Sequence, residues 1–587
     1  MTRPIATTLN AKYIHTNLAL RLLKSYCEPE QRVMIKEYTI KDPDMNIVSD
    51  LYNEQPDVIG FSCYIWNIEK TLAVVSMLKK VLPDTVLILG GPEVSFDADY
   101  WMKKHPQVDM IIRGEGEIPF KEVLQEIDHG TADFSRIGGV SYRINNQIRH
   151  NPETGNMDIA TIPSPYRFEE DLPDLNKRIV YFETSRGCPF RCQFCLSSIE
   201  QGVRYFNIDQ VKEDLLYLID HGAKLIKFID RTFNINREYA LEMFAFLIDN
   251  HQGCQFQFEI TADIMRPEVL SYLNENAPPG IFRFEIGVQS TNDATNLQVD
   301  RRQNFNKLSR TVRMIKEGGR IDQHLDLIAG LPEEDYSSFK KTFNDVFELE
   351  PEELQLGFLK MLRGTAMRRR ADEFSYTYMD HAPYEILSNQ DLSFDDVIKI
   401  KQVEDILEKY WNKKQLTHTV NYLVKHVFPT PFDFFQKFGD HWEAKGYSKI
   451  GHQFEDLFTR LSSFLHEENL PAYEKEIVHS LMKIDYLFHY KQKPPKVWWN
   501  NHIADQDAAA YCEHLINHLP DSAPELPRQP RHLLKNGIFI QIPFSWEHYR
   551  ISQTFINQNQ LIYLYYDKQG PKLIPSGAYQ FANQTID

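Results

Sequence analysis

Cysteine is scarce in this chain, with seven residues in 587. That is too sparse for a disulfide scaffold. Positive charge is in deficit: 65 Lys and Arg stand against 82 Asp and Glu, for a formal net charge of −17. The deficit argues against naked nucleic acid as the main partner, yet it leaves room for a local basic patch. No apolar run is long enough to span a bilayer, and even residues 71–82 are interrupted by Lys79 and Lys80. The first ten residues carry no apolar core of an export signal. These absences predict a cytoplasmic protein with reduced thiols and no membrane partner. In that setting clustered cysteines point to metal or catalysis. No internal repeat or low-complexity tract stands out. What is present, 42% hydrophobic and 25% charged residues, is ordinary globular composition. The length suggests about three or four domains.

The few cysteines are unevenly spread. Cys27, Cys63, Cys254 and Cys512 stand alone and read as small buried apolar residues. Cys188, Cys192 and Cys195 fall within eight residues. Three thiolates in one tight loop can all face one soft metal centre. A structural zinc site needs a fourth Cys or His, and none lies at finger spacing. A [4Fe–4S] cluster with three protein thiolates leaves one iron open to a ligand. The C-x3-C-x2-C spacing, with Phe194 before the last Cys, resembles the signature of the radical S-adenosylmethionine (SAM) superfamily. The resemblance implies that Cys188, Cys192 and Cys195 hold the cluster and that the open iron binds the amino and carboxylate groups of SAM. One electron would then cleave SAM to methionine and a 5′-deoxyadenosyl radical. An electron donor such as flavodoxin or ferredoxin is implied as a partner.

The surrounding sequence supplies a matching context. Strands are predicted at 179–184, 225–230, 256–261, 282–288, 323–329 and 354–359. Helices are predicted between them at 207–221, 237–250, 267–275, 306–317 and 336–349. Such alternation argues for parallel βα units, and barrel active sites sit at the carboxyl ends of the strands. Glu259, Glu285, Gln289 and Asp326 are polar residues in otherwise apolar strands. Each could equally tie strand ends together. The Gly-Val-Gln-Ser segment at 287–290 and the Gly-Leu-Pro segment at 330–332 resemble the coproporphyrinogen-oxidase-like branch of the superfamily. That resemblance implies SAM contacts from Gln289, Arg301 and Asp326, with Arg302 as the alternative to Arg301. Glu259 matches the acidic residue on the third strand, and Glu285 joins the same set. Carboxylates and an amide suit ribose hydroxyls, and an arginine suits the methionine carboxylate. The usual Gly-Gly-Glu segment is replaced by Ile229-Asp230-Arg231-Thr232-Phe233-Asn234. Asp230 and Asn234 are therefore weaker candidates for the SAM amino end.

The first 150 residues also alternate. Strands are predicted at 5–9, 33–38, 57–62, 85–89 and 110–112, and helices at 18–25, 44–53 and 67–81. This is a doubly wound sheet, whose ligands lie outside the carboxyl ends of the strands. No G-x-G-x-x-G occurs, so a dinucleotide is a poor guess. The Gly90-Gly91-Pro92 turn and the Arg-Gly-Glu-Gly-Glu segment at 113–117 resemble the cobalamin-binding domain found upstream of many radical SAM domains. The resemblance implies cofactor contacts from the loops after the first, third and fourth strands: Asn10, Lys12, Ser62, Tyr64, Gly90, Gly91, Pro92 and Glu93. Glycines at 90 and 91 would let a bulky cofactor approach the backbone. The D-x-H-x-x-G motif is absent, and the neighbours of His15 do not match it. No histidine ligation of cobalt is expected, an arrangement that favours methyl transfer.

The expected domains are a cobalamin module at 1–130, a hairpin and linker at 131–178, a partial (β/α)6 barrel at 179–370 and a mostly helical region at 371–587. In the last region helices are predicted at 394–410, 416–427, 454–466, 472–490 and 505–518. Residues 538–542 and 561–566 are predicted to pair as strands. The region resembles the uncharacterised C-terminal extension of one subgroup of cobalamin-binding radical SAM proteins. An appended domain beside an open barrel would cover the substrate mouth. The whole is an α/β chain. The resemblance implies a cobalamin-dependent radical SAM methyltransferase, acting on an unactivated carbon of a small-molecule or other unknown substrate through methylcobalamin. The rivals are a non-methylating rearrangement, cyclisation or oxidation with the same cofactors, a non-catalytic cobalamin sensor, and a radical SAM enzyme whose first domain no longer binds cobalamin.

Overall fold

The N-terminal sheet contains β1 (Pro4–Asn10), β2 (Met34–Thr39), β3 (Val58–Ser62), β4 (Val86–Gly90) and β5 (Met110–Ile112). They run parallel in the order β2-β1-β3-β4-β5, the doubly wound order expected. Strands covered on both faces read as continuous runs, and β1 and β3 are buried at every position. Thr7 and Thr8 are tolerated in β1 because their hydroxyls donate to the carbonyls of Lys36 and Ser62. Helices α1 (Leu18–Cys27), α2 (Asp44–Asn53), α3 (Ile68–Val81), α4 (Pro92–Ser95), α5 (Ala98–Lys104) and α6 (Glu117–His129) complete the layers. Leu9, Ile59, Phe61 and Leu89 form a core on one side of the sheet. Ala6, Val58, Ile88 and Phe120 form another on the opposite side.

In this computed structural model the described residues are 2–131, 133–153, 155–199, 202–500, 505–517 and 526–575. The chain divides into two units, Met1–Val397 and Ile398–Asp587. The hairpin read in the linker, β6 (Val140–Ile144) and β7 (Gln147–His150), belongs to the N-terminal sheet. β6 pairs antiparallel with β5. The reason is that β5 is short and would otherwise present an open edge, while Val140 and Tyr142 complete the core around Met110 and Ile112.

The second sheet of the first unit contains β8 (Ile179–Phe182), β11 (Leu225–Phe228), β12 (Gln255–Ile260), β13 (Phe282–Gln289), β14 (Ile321–Ala329) and β15 (Glu353–Phe358). The intervening β9 (Ser185–Arg186) and β10 (Arg204–Tyr205) are two-residue strands flanking the cysteine loop. The six long strands are parallel and lie in sequence order, with β8 and β15 unpaired to each other. That is an open (β/α)6 barrel. Its helices are α7 (Ile208–Asp220), α8 (Arg237–Asn250), α9 (Pro267–Asn276), α10 (Asp293–Gln298), α11 (Phe305–Gly318) and α12 (Tyr336–Phe347), followed by α13 (Ala366–Arg369). Their starts are locally encoded: Asn207, Asn236, Asn292, Asn304 and Asp335 each accept a backbone N–H as an N-cap. Phe228, Phe233, Phe244, Phe258, Phe282 and Phe284 pack together, with Phe228 and Phe258 stacked at 4.4 Å.

The second unit is mostly helical. Its helices include Phe454–Glu467 and Ala472–His489, and the expected strands pair antiparallel as Gly537–Phe544 and Asn557–Asp567. A third strand, Gly570–Pro575, completes that sheet. Two single turns of π-helix, Glu408–Asn412 and Leu423–Val427, replace the regular ends expected for two helices. The helix Pro431–Ala444 was not foreseen, although Thr430 as N-cap and Pro431 at the first position announce it. Its Phe434, Phe438 and Trp442 face Phe464 or Tyr410 in the core. His518, the expected end of the fifth helix, lies outside the described residues.

Candidate active site

The cysteine loop is held at both ends. At its stem, Arg186 reaches Glu183 at 2.8 Å, Glu115 at 3.1 Å and Glu117 at 2.6 Å. Arg204, across the β9–β10 pair, adds Glu115 at 2.7 Å and the Met157 carbonyl at 2.9 Å. Buried ion pairs of this kind fix geometry more than they add stability. Glu115 and Glu117 come from the Arg-Gly-Glu-Gly-Glu segment, so the loop after β5 grips the loop after β8. Further along, the Gln193 N–H donates to the Val299 carbonyl, and the Met367 N–H donates to the Gln193 carbonyl, both at 2.9 Å. Arg370 clamps the Gln193 side chain at 2.6 Å.

Cys192 is buried, while Cys188 and Cys195 are half-buried, and all three are free thiols. Burial pushes the Cys192 thiol up, and the Arg301 guanidinium, 3.7 Å from its sulfur, pulls it down. Burial likewise raises Cys188, opposed by the Phe190 backbone N–H. Among the described residues no three His, Cys, Asp or Glu side chains converge on a single metal ion. A polynuclear cluster spaces its thiolates around several metal atoms, so three thiols in one carboxylate-free loop suit it.

The SAM candidates separate into two groups. Gln289, Arg301 and Asp326 come together at one rim. The register pairs Gly287 with Asp326, and a bulge follows at Gly287/Gln289. Gln289 adopts φ of 67°, a conformation rare for a residue with a side chain. Its Nε2 lies where a Cβ on Gly287 would come within 2.5 Å, so a larger residue there would displace the Gln289 amide. Arg301 donates to the Gly287 carbonyl from one nitrogen and approaches Cys192 from another. The buried Gln289 Oε1 has no hydrogen-bond partner, an open acceptor that suits a ligand donor. His324 holds Asp326 at 3.1 Å. Burial raises the Glu259 carboxyl, and its nearest cation, Arg231, is 3.9 Å away. Arg302 is exposed, which leaves Arg301 as the inward arginine.

Three candidates are corrected. Glu285 is already taken by Lys227, at 2.7 and 2.9 Å, and by Gln257. Asp230 accepts from the Thr184 N–H, from the Thr184 hydroxyl at 2.7 Å and from the Ser185 hydroxyl at 2.5 Å. Asn234 exchanges two bonds with the Thr261 backbone, at 2.8 and 2.9 Å. In each case an inward-facing polar residue finds a protein partner that the linear sequence does not reveal.

The cobalamin candidates are mixed. Tyr64 stacks on Trp66 at 4.4 Å and is 3.4 Å from Asn17, and Trp66 is half-exposed. Lys12 and Pro92 are exposed and Ser62 lies at the carboxyl end of β3. Others do internal work. Asn10 donates to the His15 carbonyl at 3.0 Å and to Glu37 at 3.1 Å. Glu93 accepts from the Tyr384 hydroxyl at 2.5 Å, beside a buried Arg363 that also reaches Asp97 at 2.6 Å. Gly91 has φ of 101°, and a Cβ there would meet the Cys63 carbonyl at 2.6 Å. Gly90 has the Ile112 carbonyl 3.8 Å from its Cβ position. Gly91 thus lets the tip of β4 close on Cys63 just after β3, a protein contact, while Gly90 meets Ile112 of β5 only at ordinary distance. His15 bonds the Tyr181 hydroxyl through Nδ1 at 2.8 Å. Its histidine ring serves the junction with β8.

Arg363 and the Arg186–Arg204 clamp were both missed as linking residues. Charged residues flanking two glycine-containing loops were the only signal. Together they bring the loops after β4 and β5 against the segments after β15 and β8.

Known proteins show the same order of parts. Residues 4–124 match the B12 binding domain, and residues 182–346 match the radical SAM superfamily. The chain joins a B12-binding domain to a radical SAM domain. In this chain, residues 372–561 match a family of unknown function, DUF4080. It is 30% identical over 239 residues to an uncharacterised methyltransferase, PH0819, of Pyrococcus horikoshii, covering 38% of this chain and 51% of that one. It is 27% identical over 238 residues to the cobalamin-dependent radical SAM methyltransferase TokK of Streptomyces tokunonensis, covering 38% and 35%. An anaerobic magnesium-protoporphyrin IX monomethyl ester cyclase of Rubrivivax gelatinosus is 24% identical over 310 residues, covering 51% and 55%. The chain therefore spans roughly a third to a half of these relatives' lengths. Among solved structures, the cobalamin-dependent SAM radical enzyme OxsB has a TM-score of 0.54 at 15% identity, covering 82% of this chain and 84% of that one. The methyltransferase TsrM of Kitasatospora setae has a TM-score of 0.54 at 16% identity, covering 65% and 76%. At that identity they establish a shared fold.

Proposed function

We propose that the protein is a cobalamin-dependent radical SAM methyltransferase that methylates an unactivated carbon. The observation that carries the reading is the convergence of Cys188, Cys192 and Cys195 with Gln289, Arg301 and Asp326 at one barrel rim, gripped there by the loop after β5 of a B12-binding domain. When bound, the cluster supplies the electron that cleaves SAM, and cobalamin carries the methyl group.

This chain's own residues do the positioning. Cys188, Cys192 and Cys195 hold the cluster, and Arg301 offsets negative charge on Cys192 while presenting its remaining N–H groups to the methionine carboxylate. Gln289 Oε1 accepts a ligand hydrogen bond, and Glu259 and Asp326 accept from ribose hydroxyls. Lys12, Tyr64, Trp66 and Pro92 present the surface available to cobalamin, with Ser62 buried beneath them at the carboxyl end of β3. The proposed domain limits are 1–130 for the cobalamin module, 131–178 for a hairpin and linker whose hairpin joins the first sheet, 179–370 for the barrel and 371–587 for the C-terminal region. The reaction belongs in a reducing cytoplasm with a protein electron donor.

Anaerobic reconstitution with iron, sulfide and cobalamin, followed by reduction with methyl-deuterated SAM, tests this. The expected results are 5′-deoxyadenosine and the deuterated methyl group in the corrinoid fraction. Deoxyadenosine with no label in that fraction would reject methyl transfer. It would favour the second reading, a radical cyclisation or rearrangement, which the 51% coverage of the chain by the match to a cyclase supports.

A further inference from the structure

The strand register sets a row of charged side chains along the barrel lumen. On β14, His324 lies between Glu285 of β13 and Glu353 of β15, and Asp326 follows two residues along, opposite Gly287. Two of these carboxylates are matched by cations of their own. Lys227 and Gln257 hold Glu285, and Arg283 holds Glu353. Asp326 depends on the histidine. Among the described residues, the donor that reaches its buried Oδ1 is His324 Nε2, 3.1 Å away, and neither atom bonds any other group.

Which ring nitrogen carries the proton is set from the far side. Arg283 Nη2 lies 3.1 Å from His324 Nδ1. A guanidinium only donates, so Nδ1 accepts and the ring proton sits on Nε2, toward Asp326. A second proton on Nδ1 would place two cations in contact. The same Nη2 also donates to Glu353, which fixes the arginine in turn. The four side chains thus form a directed chain, Glu353–Arg283–His324–Asp326. It leads along the lumen to the rim where Gln289 and Arg301 converge.

We infer that His324 is a positioning residue for SAM: held in one tautomer by Arg283, it turns Asp326 so that Oδ2 accepts from the ribose hydroxyls. The inference deepens the proposed radical SAM function and rests on it. His324 itself touches no ligand. Oδ1 is buried beside the ring while 31% of the Asp326 side chain is exposed, so Oδ2 is the oxygen left to meet a ligand. A carboxylate with one oxygen pinned is oriented before binding, and that removes an ordering cost when the ligand arrives. Without the histidine the buried oxygen has no donor, and the carboxyl must rotate or take up a proton. Either change removes an acceptor from the ribose.

The test uses the full-length chain with its cluster reconstituted anaerobically and left oxidised, so that SAM binds without turnover. Calorimetry compares SAM with its 2′,3′-dideoxy analogue, which lacks only the ribose hydroxyls. The wild type is expected to prefer SAM by at least about tenfold, the scale of hydrogen bonds to a charged group. In His324→Phe the preference should fall to about twofold or less, through loss of SAM affinity and with binding of the analogue little changed. His324→Gln, whose amide can still donate to Asp326, should keep a preference of about fivefold. Arg283→Met, which frees the tautomer, should fall to about threefold. An undiminished preference in His324→Phe would overturn the inference. So would equal losses of affinity for SAM and the analogue, the result a merely structural histidine gives. If His324→Phe does not fold, Arg283→Met decides by the same two criteria. A wild type that binds SAM and the analogue equally also overturns the inference, whereas a wild type that binds neither overturns the radical SAM reading beneath it.

Discussion

The two parallel sheets of the first unit use their strands differently. In the N-terminal sheet β1 and β3 are buried throughout, and helices cover both faces. In the barrel, β13 alternates strictly between buried and half-buried positions. The buried set, Phe282, Phe284, Ile286 and Val288, packs outward against helices. The half-buried set, Arg283, Glu285, Gly287 and Gln289, lines the lumen. A sheet with two apolar faces can meet a ligand only at its strand tips. A barrel with one polar face can offer groups along the strands as well, provided those groups are not already paired. Glu285 is paired and Gln289 is not, so position on the lumen face is necessary for a ligand role and does not suffice.

The largest effect that would sharpen this contrast is loss of the cluster. Replacing Cys188, Cys192 and Cys195 together by Ala should abolish the visible absorption band after anaerobic reconstitution. A band that persists refutes the assignment. Next comes the outward face of the barrel. Phe258→Ala, inside the phenylalanine cluster, should cost about 3–5 kcal/mol in denaturant unfolding. Its lumen-facing neighbour, Gln257→Ala, should cost about 1 kcal/mol, the typical net value of one hydrogen bond. Equal costs would break the distinction between the two faces.

Arg301→Gln should weaken SAM binding, measured by calorimetry, by roughly tenfold to a hundredfold, the value of hydrogen bonds to a charged group. Unchanged affinity would remove Arg301 from the site. Glu334, just beyond β14, is buried, accepts from Ser290 and Thr342 and has its carboxyl pushed up to about 7 by burial. Since the folded state holds that proton more tightly than the unfolded chain, stability from this group is present at low pH and lost as pH rises through about 7. Glu334→Gln should therefore melt higher than wild type at about pH 8, by on the order of 1–3 kcal/mol, and the two should converge near pH 4. A constant difference across pH would contradict it. The smallest effects lie at the tip of β4. Gly91→Ala should cost roughly 1–3 kcal/mol through backbone strain, whereas Gly90→Ala should stay within about 0.5 kcal/mol and leave cobalamin binding intact. Loss of cobalamin binding by Gly90→Ala alone would restore the glycine pair as cofactor contacts.

Much of this protein was legible from local chemistry. The three cysteines carry their own spacing. Asn and Asp caps mark helix starts, and period-two and period-three-to-four hydrophobicity separates strands from helices over both sheets. The α/β class and the sequential barrel order follow from that alternation. The sequence was silent where meaning depends on a distant partner. The hairpin at 140–150 is legible as a hairpin, but only the open edge of β5 assigns it to the N-terminal sheet. Glu285, Asp230 and Asn234 look like ligand groups until Lys227, Thr184 and Thr261 occupy them. Gly91 looks like room for a cofactor until the backbone of Cys63 fills that room. Arg301 and Arg302 are adjacent and chemically identical, and only the fold sends one to Cys192 and the other to solvent. Period and spacing are properties of neighbours in the chain, so the sequence determines them alone. Whether a polar group is free or already bonded is set by contacts between residues tens to hundreds of positions apart, and only the tertiary structure decides that.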